Sequence, residues 1–86
     1  MIEYALQFTR AAWRELEALD TAMVQRLFSS IERLAREPRP RGCRKIRGAD
    51  NLWRIRIGDY RVLYTIDDQA RIIDILAVRH RSDAYR

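Results

Sequence analysis

One stretch of this chain constrains the rest. Residues 52–64, Leu-Trp-Arg-Ile-Arg-Ile-Gly-Asp-Tyr-Arg-Val-Leu-Tyr, alternate apolar and cationic side chains on both sides of a Gly-Asp pair. Alternation with a period of two is the mark of a strand, and Gly-Asp between two such runs is a two-residue hairpin turn, with Gly supplying the positive φ at its first position. That turn dictates the register: Ile57 opposite Tyr60, Arg56 opposite Arg61, Ile55 opposite Val62, Arg54 opposite Leu63, Trp53 opposite Tyr64. Opposed residues share a face. One face is therefore Trp53, Ile55, Ile57, Tyr60, Val62 and Tyr64, which is core. The other carries Arg54, Arg56 and Arg61. Like charges directly opposite each other cost stability, and a hairpin shaped for stability alone would place Glu or Thr across from Arg56. A concentrated cationic face on a rigid sheet is what an anion-binding site needs, with phosphate as the anion. A solvated face in an Arg-rich chain is the plainer alternative.

Charge elsewhere supports the anion site. The formal net charge is +5. Residues 1–38 hold five Arg against six acids, a net of −1, whereas residues 39–86 hold twelve basic groups against six acids, a net of +6. The basic character lies in the strand-rich half, which suits a nucleic-acid or other phosphate-bearing partner met by the sheet. Eighty-six residues predict one domain spanning 1–86. At 48% hydrophobic and 34% charged, the chain reads as an ordinary globular domain. The apolar runs are short for a membrane span and no signal-peptide pattern opens the chain, so a cytoplasmic location without membrane contact is expected. A lone Cys43 and a lone His80 argue against a disulfide framework and against a metal site, and no cofactor is expected.

The remaining elements follow from periodicity. Ile2, Tyr4, Leu6 and Phe8 alternate along a first strand. Thr9 reads as the N-cap of a helix over 10–19 with Ala12, Trp13, Leu16 and Leu19 facing the core. Thr21 reads as the cap of a second helix to about Arg36, with Val24, Leu27, Phe28, Ile31, Leu34 and Ala35 as its stripe, ending before Pro38. The short link between them predicts an antiparallel helical hairpin. A rigid connector, 38–42, leads to a short strand over 44–47. The hairpin follows, then a turn at 67–70 and a strand over 71–78. The last strand is apolar on both faces and is expected in the sheet interior. Ser82 is read as the cap of a final helical turn over 83–86. The fold class is α+β, in the order β-α-α-β-β-β-β. Strands two to five form an antiparallel meander, the first strand joins at an edge, and the helical hairpin covers one face. The open face carries the arginines.

These residues carry a resemblance. The early strand ending at Phe8, the "Leu-x-x-x-Pro" exit of the helical hairpin (Leu34 to Pro38), the Gly48 turn, "Trp-Arg-Ile-Arg-Ile-Gly-Asp-Tyr-Arg-Val-Leu-Tyr" at 53–64 and "His-Arg-Ser-Asp-Ala-Tyr-Arg" at 80–86 resemble the RelE/ParE superfamily of bacterial type II toxins over essentially the full length. The resemblance implies a microbial RNase-like fold, a toxin that cuts mRNA in the decoding site of the ribosome, and a neutralising antitoxin partner. It matches functional positions of the cleaving members to Arg54, Arg56, Arg61, Arg79 and Tyr85; the candidate catalytic residues are then Arg56, Arg61, Arg79, Tyr85 and His80, and the candidate RNA-binding residues are Arg54 and the basic Arg44, Lys45, Arg47 and Arg81. The implied chemistry is attack of the ribose 2′-OH on the adjacent phosphate, leaving a 2′,3′-cyclic phosphate.

Two features depart from the family pattern. The third strand carries arginines where the best-studied members have lysines, and a guanidinium does not give up its proton in proteins. Arg54 and Arg56 can hold charge on the phosphorane, and the base falls to His80, Tyr85 or the ribosome. Histidine is the residue type that exchanges protons near neutrality, although one branch of the family sets its catalytic His directly beside the Tyr, and here four residues separate them. The second departure is geometric. With Ile66 opposite Arg71, Arg61 shares a face with Leu76 and Arg79 points to the core. A bulge, or a strand ending near Val78, is required to bring Arg79 to the open face. Within the same fold, a ParE-like inhibitor of DNA gyrase and an inactive binding module are the alternatives to mRNA cleavage.

Overall fold

A computed structural model describes residues 3–82. The element order is β1 (Ala5–Phe8), α1 (Arg10–Glu17), α2 (Thr21–Leu34), β2 (Arg44–Lys45), β3 (Trp53–Ile57), β4 (Tyr60–Asp67) and β5 (Ile72–His80). The five strands form one sheet in the order β1-β5-β4-β3-β2. Strands β2 to β5 are an antiparallel meander, and β1 joins the outer side of β5 in parallel, so the sheet is mixed. The interior position of β5 agrees with its apolar sequence.

The hairpin register is the one its turn dictates, residue for residue. Gly58 takes φ +61°, where a side chain would be strained. Leu16, Leu27, Ile31 and Leu34 of the helices pack on Ile55, Val62, Tyr64, Ile66, Ile73 and Ile75 of the sheet, all buried. Tyr64 is enclosed, and its hydroxyl donates to the Pro38 carbonyl at 2.8 Å. Burial raises the pKa of that hydroxyl well above the ordinary tyrosine range.

Several local expectations shift. The second helix is capped by Asp20, not Thr21: the Asp20 carboxylate accepts from the Met23 N–H at 2.8 Å. An Asp one residue earlier reaches the free amides of the first turn equally well, and Thr21 then becomes the first helical residue. Trp13 is not core but 46% exposed, stacked on Phe8 (centroids 5.0 Å apart) and tilted against Phe28 (6.0 Å). Strand β2 keeps only Arg44 and Lys45 of the four residues expected. Arg71 leaves the last strand: its φ of +59° belongs to the turn, and its guanidinium lies over the Tyr4 ring at 5.4 Å. Ile2 and the final turn over 83–86 lie outside the described residues.

The β4–β5 register decides where Arg79 goes. Near the turn Ile66 faces Ile73 and Tyr64 faces Ile75, but Leu63 faces Ala77, so one extra residue, Leu76, is absorbed on β5. This bulge is the device the sequence reading required. Beyond it Val62 faces Val78 and Arg61 faces Arg79. The strand does not end near Val78 but continues to His80.

Candidate functional site: a cationic row across three strands

Arg56, Arg61 and Arg79 are cross-strand partners on β3, β4 and β5. They form one row on the face opposite the helices. Arg54 and Arg44, themselves partners, form the adjoining row. A cleft of about 520 Å³ opens at the turn end of the hairpin, lined by Arg56, Asp59, Tyr60, Arg61, Arg81 and Ser82, with Gly58 at the turn itself. The backbone N–H of Arg81 donates to the Asp59 carbonyl at 2.7 Å, which ties the end of β5 to the hairpin turn and sets Arg81 at the cleft. A second groove, about 270 Å³, runs between α2 and the β3 edge. It shares Arg56 with the first and adds Arg33 and Arg41.

The arginines are not equivalent. Arg56 and Arg79 are exposed and Arg61 is half-buried. Arg54, expected on the open cationic face, is only 9% exposed. A guanidinium withdrawn from water must be engaged by other groups to offset its desolvation, and Arg54 is engaged. Arg79 is anchored by an ion pair from its Nε to Glu15 of α1 at 2.6 Å.

The other residues named from sequence are placed as follows. Lys45 pairs with Trp53 and so faces the helix side, while Arg47 lies in the turn after β2; both are exposed. His80 pairs with Tyr60, on the helix side of the sheet rather than in the arginine row, and the two rings meet edge-on at 5.2 Å. Its Nδ1 accepts from the Ser82 N–H at 3.3 Å and lies 2.9 Å from Ser82 Oγ. A backbone N–H can only donate, so the ring proton of a neutral His80 resides on Nε2. Tyr85 lies outside the described residues. Among the described residues no three His, Cys, Asp or Glu side chains converge to hold a metal ion, and no helix is long and apolar enough to cross a membrane.

Two residues at the site escape sequence reasoning. Arg26 of α2 lays its guanidinium over the hairpin turn, 3.5 Å from where a Cβ on Gly58 would stand. Glu15 reaches Arg79 across a separation of more than sixty residues. Both sit on the polar flanks of helices, where periodicity reports only that a residue is not core.

Residues 6–85 match the sequence profile of the family described as "ParE toxin of type II toxin-antitoxin system, parDE". The chain belongs to that family, within the RelE/ParE superfamily of type II toxins. It is similar to the toxin RelG of Mycobacterium tuberculosis, with 38% identity over 96% of this chain and 97% of the relative. Among solved structures it is similar to the toxin–antitoxin complex RelBE2 of Mycobacterium tuberculosis (34% identity, TM-score 0.83, 96% of this chain and 97% of that one). It is also similar to the archaeal RelE–RelB complex of Pyrococcus horikoshii (29% identity, TM-score 0.82, 93% and 97% covered).

Proposed function

We propose that this toxin is a metal-independent, ribosome-dependent mRNA endonuclease, held inactive by a cognate antitoxin. The observation that carries the reading is the Arg56–Arg61–Arg79 row beside the Arg81-lined cleft. Such a row serves a reaction in which negative charge grows on a phosphate. The ribose 2′-oxygen attacks the adjacent phosphorus in line, the bond from phosphorus to the 5′-oxygen breaks, and a 2′,3′-cyclic phosphate and a 5′-hydroxyl end form. The 2′-OH proton goes to a base and the leaving 5′-oxygen takes one up. Preorganised guanidinium donors stabilise the phosphorane oxygens, each worth about 3 kcal/mol in the transition state. None of the three arginines can accept the proton. His80 faces the helix side, away from the row, which favours Tyr85 or a group of the ribosome as the base. The groove with Arg33 and Arg41 gives a strand of several nucleotides further phosphate contacts. The cytoplasm, where ribosomes are, is the place of action. The antitoxin partner is supported by the relatives solved as RelE–RelB complexes.

Inhibition of DNA gyrase is the second reading, favoured by the ParE profile that the chain matches. Primer extension on cellular mRNA after induction, run beside a gyrase supercoiling assay, separates the two. New mRNA ends with unchanged supercoiling are expected. Inhibited supercoiling with intact mRNA assigns the protein to gyrase, and neither effect identifies an inactive binding module.

A further inference from the structure

Strand β1 stops at Phe8, short of the end of β5, and this leaves the outer edge of β5 without a strand partner beyond Ile75. Helix α1 takes over that edge. Thr9 turns the chain into the helix, its hydroxyl accepting from the Ala12 N–H at 3.1 Å and donating to the Leu76 carbonyl at 2.8 Å. Two turns of helix on, Glu15 brings a carboxylate to the same edge. Its Oε1 accepts the Val78 N–H at 2.9 Å and its Oε2 takes Arg79 Nε at 2.6 Å. One carboxylate thus grips the backbone just past the bulge and the side chain that the bulge delivers to the open face.

We propose that Glu15 is a positioning residue: it fixes the orientation in which Arg79 presents its guanidinium to a phosphodiester. The inference rests on the endonuclease reading for its kinetic consequence, while the anchor itself can be measured without catalysis. An arginine side chain has many rotamers, and a row of three like charges favours those that splay apart. Holding Nε with an oxygen restricts rotation of the planar guanidinium and leaves its Nη–H donors for another acceptor, and among the described residues Glu15 is the group that holds it. Groups that orient metal ligands typically contribute about 10–100-fold to function, and a carboxylate that orients an arginine acts by the same kind of contact. Glu15 also places a negative charge beside the anion site, which weakens ground-state attraction for RNA. Its two effects oppose each other in binding and in rate, and that opposition is a signature of positioning.

Glu15→Gln isolates the role. An amide has one acceptor oxygen, enough for the Val78 N–H, and its NH₂ then meets Arg79 Nε donor against donor. In the full-length toxin acting on ribosome-bound mRNA, kcat is expected to fall about 10-fold while KM stays the same or drops. In the Arg79→Ala background the same substitution is expected to change kcat no further. A purely structural loss lowers the active fraction without lowering KM and persists in that background. The anchor is read separately from the Arg79 Nε–H resonance in ¹H–¹⁵N spectra, assigned by its disappearance in Arg79→Ala. Glu15→Gln should shift that signal and speed its exchange with water. A parental kcat in Glu15→Gln, or an equal loss with and without Arg79, overturns the proposal. Should the parent protein fail to cut mRNA at all, the endonuclease reading falls, and the spectrum still decides the anchor: an unchanged Arg79 signal overturns it and a shifted one upholds it.

Discussion

Arg61 and Arg79 stand opposite each other on adjacent strands, with Arg56 on the far side of Arg61. On the endonuclease reading, truncating either removes a donor to the reacting phosphate but little buried apolar surface. Arg61→Ala and Arg79→Ala are each expected to lose about 100-fold or more in cleavage, from about 3 kcal/mol in the transition state, while the circular dichroism melt stays cooperative. Parental cleavage by the folded variants would remove the row from the site. For Tyr85 two roles separate cleanly: Tyr85→Phe retains most activity if the ring stacks on a base, a contact worth about 1–3 kcal/mol, and loses it if the hydroxyl moves a proton. Tyr85→Ala is defective in both cases, so normal cleavage by Tyr85→Ala would take Tyr85 out of the cleaving machinery and leave the base to the ribosome. A different residue contributes to acid stability. Asp68 accepts from Arg39 Nη2 at 2.9 Å and from the Tyr4 hydroxyl at 2.6 Å, and these bonds, Arg39 first, hold its carboxyl below the usual range. A lowered folded pKa means that stability is present above the unfolded aspartate value near 3.9 and is lost as pH falls through the lower folded value. Thermal melts below about pH 4 should therefore drop more steeply for the parent than for Asp68→Asn. Parallel pH profiles would show that the clamp contributes nothing.

At the scale of elements, the hairpin carries a built-in conflict. Arg56 faces Arg61 directly, and Arg61 faces Arg79, whose charge Glu15 offsets. Arg56, exposed at the outer end of the row, is where repulsion can be relieved without opening the core. Arg56→Thr is expected to raise stability by about 0.5 kcal/mol while abolishing cleavage, a trade typical of strained functional sites. A denaturation midpoint that falls in this variant would reveal a structural partner for Arg56. The conflict persists because the turn leaves no choice of register. Gly58 at φ +61° and the alternating apolar face lock the pairing, and a slip of one residue would turn Ile55, Ile57 and Val62 outward.

For the whole molecule, charge is divided as the layers are. The half containing β1 and both helices is near neutral at −1, and the half that builds the meander is +6. The antitoxin segment that binds this toxin is expected to be acidic and drawn to the sheet by that field, with an amphipathic helix or strand suited to cover it. The toxin is expected to arrest growth when expressed alone and to be tolerated with its cognate partner. Healthy growth with abundant folded protein and no partner would count against toxicity.

Much of this molecule was legible from residues alone, and the reason is locality. The hairpin and its register depend on a two-residue turn and a period of two, the helices on apolar spacing and caps within four residues, and the opposed Arg56–Arg61 pair on both. The helical hairpin over one face of a meander follows from the same patterns. What the tertiary structure decided depends on contacts distant in sequence. Whether Leu76 is absorbed as a bulge, and so whether Arg79 joins the row or faces the core, turns on how Ile73, Ile75 and Val78 all find the same core at once. The parallel pairing of β1 with β5, the burial of Arg54, the placement of His80 against Tyr60 and the reach of Glu15 to Arg79 are likewise settled only when helices and sheet close on one another. Local preference selects each element, but the burial of a common apolar face selects which polar groups are left to meet beyond it.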